Sequence, residues 1–187
     1  MKRSVEDIRS DFPILSEKVY GKPLIYLDNG ATTQKPEKVI RRVEEVYRTA
    51  NANVHRGVHR LSDLVSEQYE AARDTVRLFI NAPKREEIVF TAGTTASTNA
   101  VAFSFGERYV GQGDEVLISE MEHHANIVPW QMLCERKKAV LKVIPFNDQG
   151  ILDLEAYRNL ISPRTKIIAV TQASNVLGTI NPVREII

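Results

Sequence analysis

The sequence predicts an α/β fold, a mainly parallel sheet with flanking helices. Three observations predict it. After Glu87, β-branched strand segments at 88–91, 116–119, 140–145 and 166–171 alternate with helical segments near 95–109, 125–138 and 153–161. Turn signals, Gly111-Gln112-Gly113-Asp114 and Asn147-Asp148-Gln149-Gly150, punctuate that alternation. Finally, Thr91-Ala92-Gly93-Thr94-Thr95 places a glycine where a strand meets a helix, the position at which such folds hold anions. A strand–helix–strand repeat of this kind builds right-handed crossovers.

From the amino terminus, Ser4-Val5-Glu6-Asp7 reads as a capping box opening a short helix that stops by Pro13, and Leu24-Ile25-Tyr26-Leu27 reads as a brief strand. Residues 1–35 form an amino-terminal arm in this reading, and 36–187 the first part of a larger domain. Pro36 suits the first turn of a helix ending near Ala50, with Val39, Ile40, Val43, Val46 and Tyr47 on one face. A second helix, from about Ser62 to before Pro83, turns Leu64, Val65, Tyr69, Ala72, Val76, Phe79 and Ile80 to its buried side. Between them, residues 51–60 are polar and aperiodic, a loop rich in side chains able to meet a ligand. At the carboxyl end, Asn181-Pro182 reads as a cap with proline in the first turn, followed by barely one turn of helix. This implies a truncated chain with an unfinished sheet.

The 187 residues are 43% hydrophobic and 26% charged with a net charge of +1, values of a globular chain able to bury one sizeable core. No basic stripe points to nucleic acid, and Glu135-Arg136-Lys137-Lys138 reads as a solvated helix end. There is no signal-peptide pattern and no apolar run of membrane-spanning length, so a cytoplasmic location is expected. The single cysteine, Cys134, excludes an intrachain disulfide and, among apolar neighbours, reads as a small buried hydrophobe.

Candidate chemistry gathers in the segments 92–95, 120–126 and 172–178, which the strand assignment puts at the carboxyl ends of strands, where open α/β sheets bind ligands. Gly93 lets backbone approach closely, the following helix start favours an anion, and Thr94 and Thr95 add hydroxyl donors; alternatively one threonine simply caps the helix. In Glu122-His123-His124, adjacent side chains of an extended segment point apart, so one imidazole faces a ligand, to stack on a flat ring or carry a proton; an ordinary loop histidine is the alternative. Asn175 could donate its amide to a ring oxygen or satisfy its own turn. His55 and His59, four apart, could with His123 supply three nitrogen ligands to zinc, but Gly57 and the lack of helical periodicity argue against a helix there, no HExxH or cysteine cluster is present, and no metal is expected.

Four runs together resemble the SUF-type cysteine desulfurases, pyridoxal-phosphate enzymes of aminotransferase class V: residues 26–36, beginning Tyr26-Leu27-Asp28-Asn29-Gly30; Asn53-Val54-His55-Arg56-Gly57-Val58-His59; Met121–Gln131; and Ser174-Asn175-Val176-Leu177-Gly178. The resemblance covers nearly the whole chain. It implies the fold-type-I architecture of pyridoxal-phosphate-dependent transferases, with this chain the amino-terminal portion and its large domain incomplete. It also implies that Thr94 and Thr95 hold the phosphate of pyridoxal 5'-phosphate, that His123 lies over the pyridine ring and takes part in proton transfer, and that Asn175 bonds the phenolic oxygen. His55 and Arg56 would approach the active site or a dimer interface. Ala92 stands where many relatives carry arginine, and Gln172 where many carry histidine.

The activity so implied converts cysteine to alanine and passes persulfide sulfur to an acceptor protein for iron–sulfur cluster assembly, in a homodimer. In the family the Schiff-base lysine, the aspartate on the ring nitrogen, the nucleophilic cysteine and the carboxylate-binding arginine lie beyond position 187, so the chain by itself is expected to be inactive. A selenocysteine lyase or an aminotransferase of the same class would share the pocket, and a non-catalytic interaction module would share only the fold.

Overall fold

A computed structural model describes residues 3–187. The chain divides into two compact units, one up to Val89 and one from Phe90 to Ile187. In the first, α1 (Val5–Arg9) opens on the expected capping box, with Ser4 Oγ accepting from Asp7 N and Asp7 accepting from Ser4 N. A 3-10 turn (Pro13–Ser16) leads into a hairpin of β1 (Lys18–Val19) and β2 (Lys22–Pro23). Tyr20 and Gly21 both have positive φ, as the central residues of a type I′ hairpin turn require. Leu24–Leu27 is not a strand. Its backbone has no partner ladder among the described residues, and Ile25 and Leu27 stand 80% and 90% exposed.

Helix α2 (Glu37–Thr49) begins after Pro36, which occupies the N-cap. Its expected apolar face is regular but uncovered in this unit, with Val39, Ile40, Val43 and Tyr47 all exposed. Helix α3 (Arg60–Phe79) starts two residues earlier than expected because the His59 ring accepts from Ser62 N and caps it. Of its expected buried side, Leu64, Val65, Tyr69 and Val76 are half-buried, while Ala72, Phe79 and Ile80 are exposed. The loop before it is pinned to its first turns. Ser62 Oγ donates to Asn53 O and accepts from Gly57 N, and Ser66 Oγ accepts from His55 N. A 3-10 turn (Arg85–Glu87) follows; residues 88–91 form no strand, for the same lack of a neighbouring ladder.

The second unit holds the sheet. Helix α4 (Thr94–Val101) runs through a wide π turn (Ala102–Gly106) into α5 (Glu107–Tyr109). Strand β3 (Glu115–Ser119) is central, flanked in parallel by β4 (Val140–Ile144) and β5 (Thr165–Ala169). Between them lie a 3-10 turn (His124–Asn126), α6 (Val128–Lys137) and α7 (Leu154–Leu160), and α8 (Val183–Ile186) ends the chain with Pro182 as N-cap. Every residue of β3 is buried. Val116 and Ile118 enter one core with Ala102, Trp130, Leu133 and Cys134, while Leu117 enters another with Ile144, Leu152, Tyr157 and Ile186. A central parallel strand covered on both faces explains the unbroken apolar run Val116-Leu117-Ile118. Cys134 is buried as expected, and burial pushes its thiol up.

Candidate active site

The loop after β3 meets the start of α4. Gly93 is the N-cap, with φ 139° and ψ 178°, a conformation open almost only to glycine, and an added Cβ there would meet nothing within 4 Å. No side chain among the described residues caps the helix. Thr94 and Thr95 therefore do not serve as caps; they are the first helical residues, and their backbone N–H groups have no intrahelical acceptor. Thr91 shapes the turn instead, its Oγ1 bonded to Gly93 O at 3.1 Å and sharing a 2.7 Å hydrogen bond with Ser97 Oγ. The result is an uncapped helix start with free N–H donors and the positive end of the peptide dipoles, a fitting seat for a phosphate.

Thr95 opens onto a cavity of about 360 Å³, lined also by Asn99, His123, His124, Ala125, Val128, Pro129 and Met132. The structure thus brings Thr95 and His123 together. His123 Nδ1 accepts from Ala125 N at 3.1 Å, which leaves the proton of the neutral ring on Nε2. Both histidines line the cavity, their rings 5.9 Å apart and near-perpendicular, against the expectation that they point apart. The reason is local: His123 is extended, but His124 already begins the 3-10 turn, so the two-residue alternation of a strand is lost between them.

Thr94 is absent from the lining, although it shares the helix start. Asn175 is exposed on the turn after β5, away from the lining, and its side chain has no hydrogen-bond partner among the described residues. The turn is satisfied by Ser174 Oγ, which accepts from Val176 N and Leu177 N. His55 and Arg56 belong to the first unit. His55 has φ 57°, and its Nε2 lies 2.9 Å from Glu70 Oε1. No group of three His, Cys, Asp or Glu side chains suited to a metal occurs among the described residues, and no helix among them is long and apolar enough to cross a membrane.

Sequence reasoning missed Asn99, one helical turn from Thr95 and on the same face; its Nδ2 donates to Thr95 O at 2.8 Å. The i, i+4 spacing from Thr95 was the available signal. It also missed the part played by Glu122, whose buried carboxylate accepts from Ser119 Oγ, from Asn126 Nδ2 at 2.8 Å and from Thr171 N at 2.7 Å. Nothing in residue spacing distinguishes a buried glutamate from a solvated one.

Comparison with known proteins follows the same lines. A cysteine desulfurase of Klebsiella pneumoniae is 52% identical over all 187 residues, which cover 46% of that relative. A probable cysteine desulfurase of Staphylococcus aureus is 54% identical over 174 residues, 93% of this chain and 42% of the relative. The chain thus spans about half the length of the curated relatives it matches. Among solved structures, the apo cysteine desulfurase of Thermococcus onnurineus superposes with a TM-score of 0.88 at 40% identity, covering 99% of this chain and 44% of that one. The architecture is therefore that of the fold-type-I, pyridoxal-phosphate-dependent transferases, as the sequence led one to expect. The aminotransferase class-V model matches residues 25–187, and on that match the chain, with its β4-β3-β5 sheet and uncapped α4, belongs to the aminotransferase class-V family.

Proposed function

We propose that this chain is the amino-terminal part of a pyridoxal-phosphate-dependent cysteine desulfurase, with residues 1–35 as an arm and 36–187 as the first part of the cofactor-binding domain. The observation that carries this reading is the meeting, in one cavity, of an uncapped helix start and the His123 imidazole. The donor set suits the cofactor: free N–H groups of Thr94 and Thr95 and the Thr95 hydroxyl for a phosphate dianion, and an aromatic nitrogen ring beside a mostly apolar wall for a pyridine. When bound, pyridoxal phosphate supplies an electron sink for breaking a carbon–sulfur bond. Thr94 and Thr95 hold the phosphate, His123 carries a mobile proton on Nε2, and Asn175, on the turn after β5, offers its amide to the phenolic oxygen. His55 and Arg56 contribute at the active site or the dimer interface. Ala125 N–H keeps the His123 proton on Nε2.

The complete protein, in this reading, is a cytoplasmic homodimer that takes sulfur from cysteine and hands it to an acceptor protein for iron–sulfur cluster assembly. The 187 residues alone do not turn over. No lysine or cysteine among the described residues lines the cavity, and Cys134 is buried with its thiol pushed up, unsuited to attack. The test is an assay of the full-length protein for alanine and persulfide with cysteine and, in parallel, selenocysteine as substrate, alongside the 187-residue chain. Alanine from cysteine with the full-length protein alone supports the reading. Turnover by the short chain, or none by the full-length protein loaded with cofactor, overturns it.

A further inference from the structure

His123 stands on a segment with little to hold it. Among the described residues its ring makes one hydrogen bond, accepting from a backbone N–H two residues on, and the 3-10 turn that follows is three residues long. Turns of that length have no stability of their own. Yet the residues on either side are anchored. Glu122, 9% exposed, and Asn126 bond to each other at 2.8 Å, and each reaches the end of β5: Glu122 accepts from Thr171 N at 2.7 Å, and Asn126 donates to Ala169 O at 3.3 Å. Trp130 Nε1 donates to Asn126 Oδ1 at 2.9 Å, which fixes the amide so that its NH₂ faces Glu122. Ser119 Oγ, at the end of β3, donates to the same carboxylate.

We propose that Glu122 is a positioning residue: with Asn126 it clamps both ends of the His123 segment to the ends of β3 and β5, and so sets the imidazole in the cavity. This rests on the reading that His123 serves the cofactor. A buried carboxylate carries a desolvation penalty that an apolar side chain would avoid. No lysine or arginine pairs with it among the described residues; its partners are a hydroxyl, an amide and a backbone N–H from separate strand ends. Those bonds tie together the two loops that carry His123 and Asn175. An apolar residue of equal volume would fill the space but leave Thr171 N–H and one N–H of the Asn126 amide unsatisfied.

The experiment uses the full-length protein, free of cofactor, and reads the histidine ring nitrogens by two-bond proton–nitrogen correlation, with circular dichroism to verify the fold. In the parent protein His123 is expected as a single tautomer protonated at Nε2. Glu122→Gln sets an amide against the Asn126 amide, and the His123 signals should move to those of a tautomer mixture while the fold remains. Should that variant not fold, Trp130→Phe frees the Asn126 amide to turn and should move the same signals by a smaller amount. Unchanged His123 signals in a folded variant overturn the proposal. The cofactor reading is examined separately through His123→Ala: an unaltered absorption spectrum of the bound cofactor would defeat that reading and leave the hold of Glu122 on the ring intact.

Discussion

Gly93 bears the most specific backbone requirement at the start of α4. Its φ of 139° is strained for any residue with a Cβ, although space for a methyl group exists, so Gly93→Ala isolates conformation from crowding. The expected effect is about 1–3 kcal/mol of local strain, read as a lower melting temperature and weaker cofactor binding. That this glycine mattered was legible in the sequence, because glycine between an apolar run and an amphipathic one has few other uses. The threonines were legible only as alternatives, and the geometry decides against capping since both lie within the helix. The positions of His124 and Asn99 were not legible, because they depend on where an extended backbone gives way to a turn and on which side of α4 faces the cavity.

The strands that formed as expected are those with a ladder to join among the described residues. β3, β4 and β5 satisfy one another's ladders, and α6 and α7 cover them. The segments 24–27 and 88–91 also carry β-prone residues but form no ladder among the described residues, and α2 has a regular apolar face whose Val39, Ile40, Val43 and Tyr47 stay exposed. Propensity proposes a strand and pairing decides it. Where the π turn packs on α6, Gly106 lies against Leu133: an added Cβ would stand 2.5 Å from Leu133 Cδ2, and Leu133 is fully buried. Gly106→Ala should therefore destabilise the second unit by about 1–3 kcal/mol through overpacking, measured by denaturant titration. The loop over residues 51–60 is held by similar closeness. A Cβ on Gly57 would sit 2.8 Å from Ser62 Cβ, so Gly57→Ala should displace the turn that carries His55, seen as altered amide signals for residues 53–58.

At the scale of the molecule, the sheet's amino end carries a charge cluster far in role from the cavity. Glu115 is buried and its carboxyl is held at about 2, first by the hydrogen bond from Lys142, then by Ser162, with Thr165 adding a third. Because this lies below the value of about 4.3 for an unfolded glutamate, the contribution is fully present above that pH and is lost as pH falls through about 2. Glu115→Gln should lower stability at neutral pH and flatten the loss of melting temperature between about pH 4.3 and 2. The fold class was legible in the chain because strand and helix alternate through the second unit, and the runs that resemble the desulfurases already marked the chain as an amino-terminal portion, in keeping with its covering 46% and 42% of two relatives. The central claim is that the start of α4 holds the cofactor's phosphate. The direct measurement is the affinity of the cofactor-free full-length protein for pyridoxal phosphate, with and without Thr95→Ala. Loss of a hydrogen bond to a charged group is worth about 1.5–3 kcal/mol, so the variant should bind about tenfold to a hundredfold more weakly. An unchanged dissociation constant in a folded variant would contradict the claim.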